Sequence, residues 1–136
     1  MPLEVFTTPW TATWAERINA SPAFRSAAAS WEGGLVLEMK GAGERRAVFA
    51  DLWHGECRGA RVASAEDQAQ ARFVISADAS TWKRLLEDRL DILFAVMTGK
   101  LRLERGSAAE LLPLAEAAKE LVAAARFEAT FPDGWA

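Results

Sequence analysis

The chain has 136 residues, is 51% hydrophobic and 26% charged, and has a formal net charge of −3. This length is typical of one domain, so we expect residues 1–136 to fold as a single unit, and the composition excludes a disordered chain. Because the balance is acidic, we expect no basic face that would attract nucleic acid. No run approaches the about 18 apolar residues of a membrane span, and the first residues do not resemble a secretory signal. We therefore expect a cytoplasmic protein.

The first third of the chain predicts two helices. Pro9 suits the first turn of a helix, and Trp10, Trp14 and Ile18 then recur every four residues along one face. Ser21, followed by a proline, predicts the start of a second, short helix. The tryptophan-bearing face either packs inside the chain or forms a docking surface for a partner or for a second copy in a homodimer.

The middle third predicts short strands. Residues 35–40 alternate between two faces, as in a half-buried strand, and the glycine-containing turn at 41–43 leads into a strand over 45–53. Residues 57–63 predict a weaker strand that carries arginines, and 71–76 predict a fourth strand. Hairpin connections need no crossover helices, so this spacing favours an antiparallel meander.

The next segment returns to helices and adds a strand. Asp78 can cap a helix that contains Trp82, and Asp91 precedes a short helix over 92–98 that is apolar almost all round. Such a helix is predicted to be fully buried or to line a cavity, because a surface helix has a polar face. Alternation over 100–104 predicts a fifth strand.

A capping box over Ser107–Glu110 predicts the last helix. Pro113 removes a backbone donor and should kink this helix near its start. The aromatic tail over 127–136 is expected to fold back onto the body. The apolar face of the helix has nearly ideal helical spacing and consists of Leu111, Leu114, Ala115, Ala118, Leu121, Val122 and Ala125.

The ordered pattern over residues 78–107 resembles the sterol carrier protein type 2 family. There a capped helix with an aromatic residue precedes an aspartate, a short apolar helix, Gly-Lys and an alternating strand. Two positions depart from the family pattern. Ile92 stands where the family usually has proline. In the family a glycine directly follows the fifth strand, whereas here Arg105 comes before Gly106. The second departure implies a one-residue shift in the turn. The matching positions are Trp82, Leu86, Asp91, Ala95, Met97, Gly99, Lys100, Leu101 and Leu103.

The resemblance implies an α+β fold. Its five-stranded, mainly antiparallel sheet would carry helices on one face, and an apolar tunnel for lipid would lie between sheet and helices. The partner implied is a lipid or fatty-acyl ligand, with transient membrane contact and no cofactor. Apolar helix faces suit such a wall, since Met is adaptable and Ala leaves room. The predicted wall residues are Trp82, Leu86, Phe94, Met97, Leu111, Leu114, Ala118 and Val122.

One cluster resembles a catalytic site. Asp51, His54 and Cys57 recur every three residues around a predicted turn, and a Cys–His pair can act as a nucleophile if the imidazole activates the thiol. The chain has one histidine and one cysteine, which are too few for a typical zinc site or a disulfide. A turn histidine beside a half-buried cysteine is the simpler interpretation. We therefore expect non-catalytic lipid carriage without a metal, and the alternative is an interaction module that uses the N-terminal tryptophan helix.

Overall fold

The computed structural model describes residues 2–135, and Met1 and Ala136 lie outside the described residues. The strands are β1 (Leu3–Glu4), β2 (Glu32–Gly41), β3 (Glu44–Trp53), β4 (Glu56–Val62), β5 (Phe73–Asp78), β6 (Arg102–Arg105) and β7 (Ala129–Thr130). The helices are α1 (Thr8–Asn19), α2 (Pro22–Ala27), α3 (Ala65–Gln70), α4 (Ala79–Leu86), α5 (Ile92–Met97), α6 (Ala108–Leu111) and α7 (Ala115–Ala124).

The main sheet has five strands in the order β4-β3-β2-β5-β6. The pairs β2–β3, β3–β4 and β5–β6 are antiparallel, whereas β2 and β5 are parallel. The predicted mainly antiparallel sheet is confirmed, but a simple meander is wrong. After β4 the chain crosses to the far side of β2 through α3, because a parallel pair needs a crossover connection.

Helix α3 is absent from the prediction because its sequence, AEDQAQ, is polar. Its start is a capping box in which the Ser64 hydroxyl accepts from the Asp67 amide and the Asp67 carboxylate accepts from the Ser64 amide. The same carboxylate accepts two hydrogen bonds from the Arg61 guanidinium, at 3.0 and 2.6 Å. The helix is therefore held to β4 by polar contacts rather than by an apolar face.

Strand β2 is buried on both faces, in contrast to the predicted half-buried strand. Leu35, Leu37 and Met39 belong to the main core, and the intervening Val36 is also buried. Val36 packs in a second, smaller cluster with Ala47, Ala71 and Val74, of which Ala71 directly follows α3. The helix that the sequence did not reveal thus helps to cover this second face.

Helix α1 packs inside the chain. Trp10, Trp14 and Ile18 are all buried, and the Trp14 indole Nε1 donates to the Leu121 carbonyl of α7 at 3.0 Å. The predicted helix and its apolar face are confirmed. The alternative in which this face docks a partner or a second copy is wrong for this structure, because the face is already covered.

The predicted helix over 92–98 is also present but is not buried all round. Asp91 caps α5 through its carboxylate, which accepts from the Phe94 amide at 3.0 Å. Ile92 and Ala95 face inward, whereas Phe94 is 54% exposed and Met97 is 84% exposed. The prediction rested on the apolar character of the whole helix, which does not show how much of a six-residue helix the fold covers.

The last helix begins at the predicted capping box, with Ser107 and Glu110 bonding each other's amides. Pro113 lies in a 3-10 turn, Leu112–Leu114, that separates α6 from α7, as the missing donor predicts. The tail folds back: β7 pairs in parallel with β1. This small sheet ties the two ends of the chain together.

The unusual position of Gly106 is resolved by a bulge in β6. Ile75 pairs with Leu103 and Val74 with Arg105, so Glu104 is the extra residue. The predicted one-residue shift therefore lies inside the strand, and Gly106 directly follows it. Gly106 has φ +88°, and a Cβ there would collide with the Phe73 ring.

Candidate functional site

A small cavity lies between the main sheet and the helices. The sheet contributes side chains of β2 and β5, and α1, α4, α5, α6 and α7 contribute the other walls. All of its lining side chains are apolar or aromatic. They are Phe6, Trp10, Trp31, Leu35, Leu37, Ile75, Trp82, Leu86, Ile92, Leu111, Ala118, Leu121, Val122 and Ala125.

The cavity has a volume of about 20 Å³, which is enough for about one water molecule. Ligand pockets for small molecules usually measure roughly 300–1,000 Å³. An acyl chain or a sterol can enter only if surrounding elements move. In this conformation the cavity is therefore too small for such a molecule.

The structure brings five of the eight predicted wall residues together at the cavity. These are Trp82, Leu86, Leu111, Ala118 and Val122. Their contact with a ligand stays a prediction.

The other three predicted wall residues lie elsewhere. Phe94 and Met97 are on the outer face of α5 and are exposed. Leu114 is buried in the core but does not line the cavity. The prediction placed them there because their sequence is apolar, and apolar spacing does not distinguish the inner face of a short helix from its outer face.

The prediction missed the whole sheet side of the cavity. Leu35 and Leu37 share one face of β2, and Ile75 lies beside them, since β5 pairs Ile75 with Leu37. The two-residue alternation of both strands contained this signal. The alternation alone could not show that these side chains meet, because that depends on the parallel pairing of β2 with β5, which arises from the unpredicted crossover.

Two tryptophan rings of the cavity wall direct their polar atoms away from the cavity. Trp31 Nε1 donates to the Gly33 carbonyl at 3.1 Å, and Trp82 Nε1 donates to the Glu38 carbonyl at 2.9 Å. These hydrogen bonds fix the rings at the wall while leaving apolar surface toward the cavity. The site can therefore select for apolar shape and offers no charge.

The catalytic-looking cluster does not form a working arrangement. Arg58 holds Asp51 through two hydrogen bonds of 3.1 and 3.0 Å, and His54 contacts the Glu32 carboxylate at 2.5 Å. Cys57 is buried, its thiol donates to a backbone carbonyl, and burial raises its pKa. A raised pKa disfavours the thiolate that a nucleophilic cysteine needs.

Metal sites and membrane-spanning helices are both absent from residues 2–135. No three histidine, cysteine, aspartate or glutamate side chains in this range come together as a metal site would require. Within the same range, no helix has both the length and the apolar character needed to span a bilayer.

The model of the SCP-2 sterol transfer family matches residues 13–122, which include the whole main sheet and most of the cavity-lining helices. The chain belongs to the SCP-2 sterol transfer family. The resemblance seen in the sequence is thereby confirmed. Lipid binding and transfer are general properties of this family. A search of curated proteins found no match.

Solved structures agree with this assignment. A crystal structure of sterol carrier protein 2 is 45% identical, with a TM-score of 0.84 over 93% of this chain and 100% of that one. The solution structure of a conserved hypothetical protein from Thermus thermophilus is 44% identical, with a TM-score of 0.81 over 97% of this chain and 94% of that one. The apo form of sterol carrier protein 2 from Yarrowia lipolytica shares the fold at 16% identity, with a TM-score of 0.61 over 93% of this chain and 98% of that one.

Proposed function

We propose that this chain, as one domain, binds and carries an apolar lipid between its sheet and helices and performs no chemistry on it. Fatty acids, acyl-CoA and sterol-like molecules are the ligand classes that we propose. The observation that carries this proposal is the cavity: its lining is wholly apolar and lies where sheet and helices face each other. Membership of a lipid-transfer family supports the same function. The cytoplasmic location stays a prediction.

The energetics allow a closed cavity to open around its ligand. Burying the about fifteen methylenes of a sixteen-carbon chain is favourable by roughly 12 kcal/mol before association costs of about 4–15 kcal/mol. Helix α5 is the element that we propose to move, because it buries only Ile92 and Ala95. Exposing these two side chains costs about 3 kcal/mol. The resulting affinity is modest, which suits a carrier that must release its cargo.

We further propose that α5 makes the transient contact with a membrane. Phe94 and Met97 project from its outer face, and Ile92 on the same helix lines the cavity. Insertion of the two exposed side chains into a bilayer surface would therefore pull on the cavity wall. The adjacent groove supports contact with anionic lipid, since four cations and one carboxylate line it: Lys40, Arg84, Lys100, Arg102 and Asp78.

Native mass spectrometry of the purified full chain, followed by organic extraction, tests the carrier function. We expect a co-purifying lipid that a dansyl-labelled fatty acid displaces. A series of saturated fatty acids should then bind more tightly as the chain lengthens, by up to about fifteenfold for each two carbons. A clean apo mass without displacement, or affinities independent of chain length, would contradict the proposal.

The rival functions have less support. An interaction module that uses the α1 face would need Trp10, Trp14 and Ile18 at the surface, and all three are buried. For the same reason we do not propose a homodimer through this face. An enzyme that uses Cys57 and His54 would need an activated thiol, whereas the Cys57 pKa is raised by burial.

A further inference from the structure

The indole N–H of Trp10 is a buried hydrogen-bond donor with no acceptor in the described chain. The ring is 0% exposed and lines the cavity. Its Nε1 has no hydrogen-bond partner among residues 2–135. Three aromatic rings pack around it, with centroids 5.1, 5.3 and 5.7 Å away: Phe6, Trp14 and Phe127.

The other buried tryptophans show how unusual this is. Trp14, Trp31 and Trp82 each donate their Nε1 hydrogen to a backbone carbonyl, at 2.9 to 3.1 Å. A buried donor without a partner is costly, and an aromatic face is at best a weak acceptor. Phenylalanine would retain an aromatic ring at this position without the orphaned donor. An indole at this position is therefore explained if the donor is used in another state of the protein.

The lining restricts what could accept this hydrogen bond. No charged or hydroxyl-bearing side chain of residues 2–135 lines the cavity. An ionised carboxylate or phosphate placed there would lose its hydration with a single neutral donor in return, which is strongly unfavourable. A neutral oxygen needs only one donor, so an uncharged hydroxyl, ester or ketone group fits.

We propose that Trp10 Nε1 donates a hydrogen bond to a neutral oxygen of the bound lipid once the cavity opens, so that the site prefers uncharged, oxygen-bearing lipids over pure hydrocarbons of equal length. This inference rests on the proposed carrier function and adds a specificity-determining residue to it. Charged headgroups then stay at the cavity mouth, outside the apolar lining.

The test compares hexadecan-1-ol with hexadecane, each delivered to the ¹⁵N-labelled full chain from methyl-β-cyclodextrin. The six tryptophans of the sequence give separate indole signals, and the one lost in Trp10→Phe belongs to Trp10. We expect the alcohol to move this signal downfield and hexadecane not to do so. Trp10→Phe should lower the ratio of alcohol affinity to hexadecane affinity by about five- to tenfold, because the loss of ring volume affects both ligands and cancels in the ratio, whereas the lost hydrogen bond affects the alcohol alone. Trp53→Phe, a change on the exposed edge of β3, is the matched control and should alter neither affinity.

Each outcome decides the inference, and two outcomes separate it from the carrier function. If both ligands bind and the Trp10 signal responds equally to them, the hydrogen bond is refuted while the carrier function stands. If neither ligand binds the wild-type chain, both fall together. The indole signal is measured on the wild-type protein, and sequential assignment of that protein identifies the Trp10 signal if Trp10→Phe does not fold.

Discussion

Enlarging the cavity should weaken the fold and strengthen lipid binding at the same time. Leu121 lies on α7, is buried and lines the cavity. Leu121→Ala removes three carbon atoms from the wall, which costs about 2.4 kcal/mol in lost burial at about 0.8 kcal/mol each. The space left behind adds to this, so the free energy of unfolding should fall by about 3 kcal/mol.

The affinity should change in the opposite direction. A ligand chain that occupies the space of the lost carbons no longer has to displace the wall there. The gain is at most about 2 kcal/mol, or roughly thirtyfold in Kd. Urea unfolding measures the stability of the apo protein, and titration with a dansyl-labelled fatty acid measures the affinity.

Leu52→Ala is the matched control for this experiment. Leu52 is a fully buried leucine of β3 that belongs to the main core but does not line the cavity. It should lose similar stability without a gain in affinity. Equal affinities for wild type and Leu121→Ala, or an equal gain in the Leu52 variant, would refute the assignment of the cavity as the binding site.

Three further changes test other parts of the account. Replacing both Phe94 and Met97 by serine should reduce binding to vesicles that contain phosphatidylglycerol by at least about fivefold in a sedimentation assay. Stability should change little, since both side chains are exposed. The control Val62→Ser, an exposed change on the edge strand β4, should bind these vesicles as wild type does. The Arg61 guanidinium lowers the pKa of the Asp67 carboxyl to about 2. Because this pKa lies below the unfolded value, the pair stabilises the fold above about pH 4 and loses its contribution of about 1–2 kcal/mol as the pH falls toward 2. In Asp67→Asn, this pH-dependent part of the free energy of unfolding, measured with urea, should be absent. The same loss of stability between pH 4 and 2 in the variant as in wild type would contradict this. Gly106→Ala should lower the unfolding free energy by at least about 2 kcal/mol, because it combines a positive φ with a clash against a buried ring; a loss below about 0.5 kcal/mol would be inconsistent with this packing.

Elements with strong local signals were predictable from the sequence. The four-residue spacing of Trp10, Trp14 and Ile18 located α1, and the capping box at Ser107 located the last helix. The alternation of residues 35–40 located β2. Local patterns of this kind depend only on neighbours along the chain, so they predict these elements without knowledge of the fold.

The parts that failed depend on contacts between distant segments. The parallel pairing of β2 with β5 arises from the crossover through α3, whose stability comes from Arg61 and Asp67 rather than from apolar periodicity. The orientation of α5 also depends on what lies beneath it. Its two-sided apolar sequence led to the wrong placement of Phe94 and Met97, although Ile92 of the same helix does line the cavity.

The central claim is that the closed cavity between sheet and helices opens to hold a lipid chain. A ¹³C-filtered NOESY spectrum of the full chain with labelled palmitate tests it most directly. We expect contacts from the palmitate methylenes to the methyl groups of Ile75, Leu121 and Val122, which line the cavity from both sides. Contacts confined to exposed methyl groups such as those of Met97 and Val62, with none to the cavity lining, would contradict it.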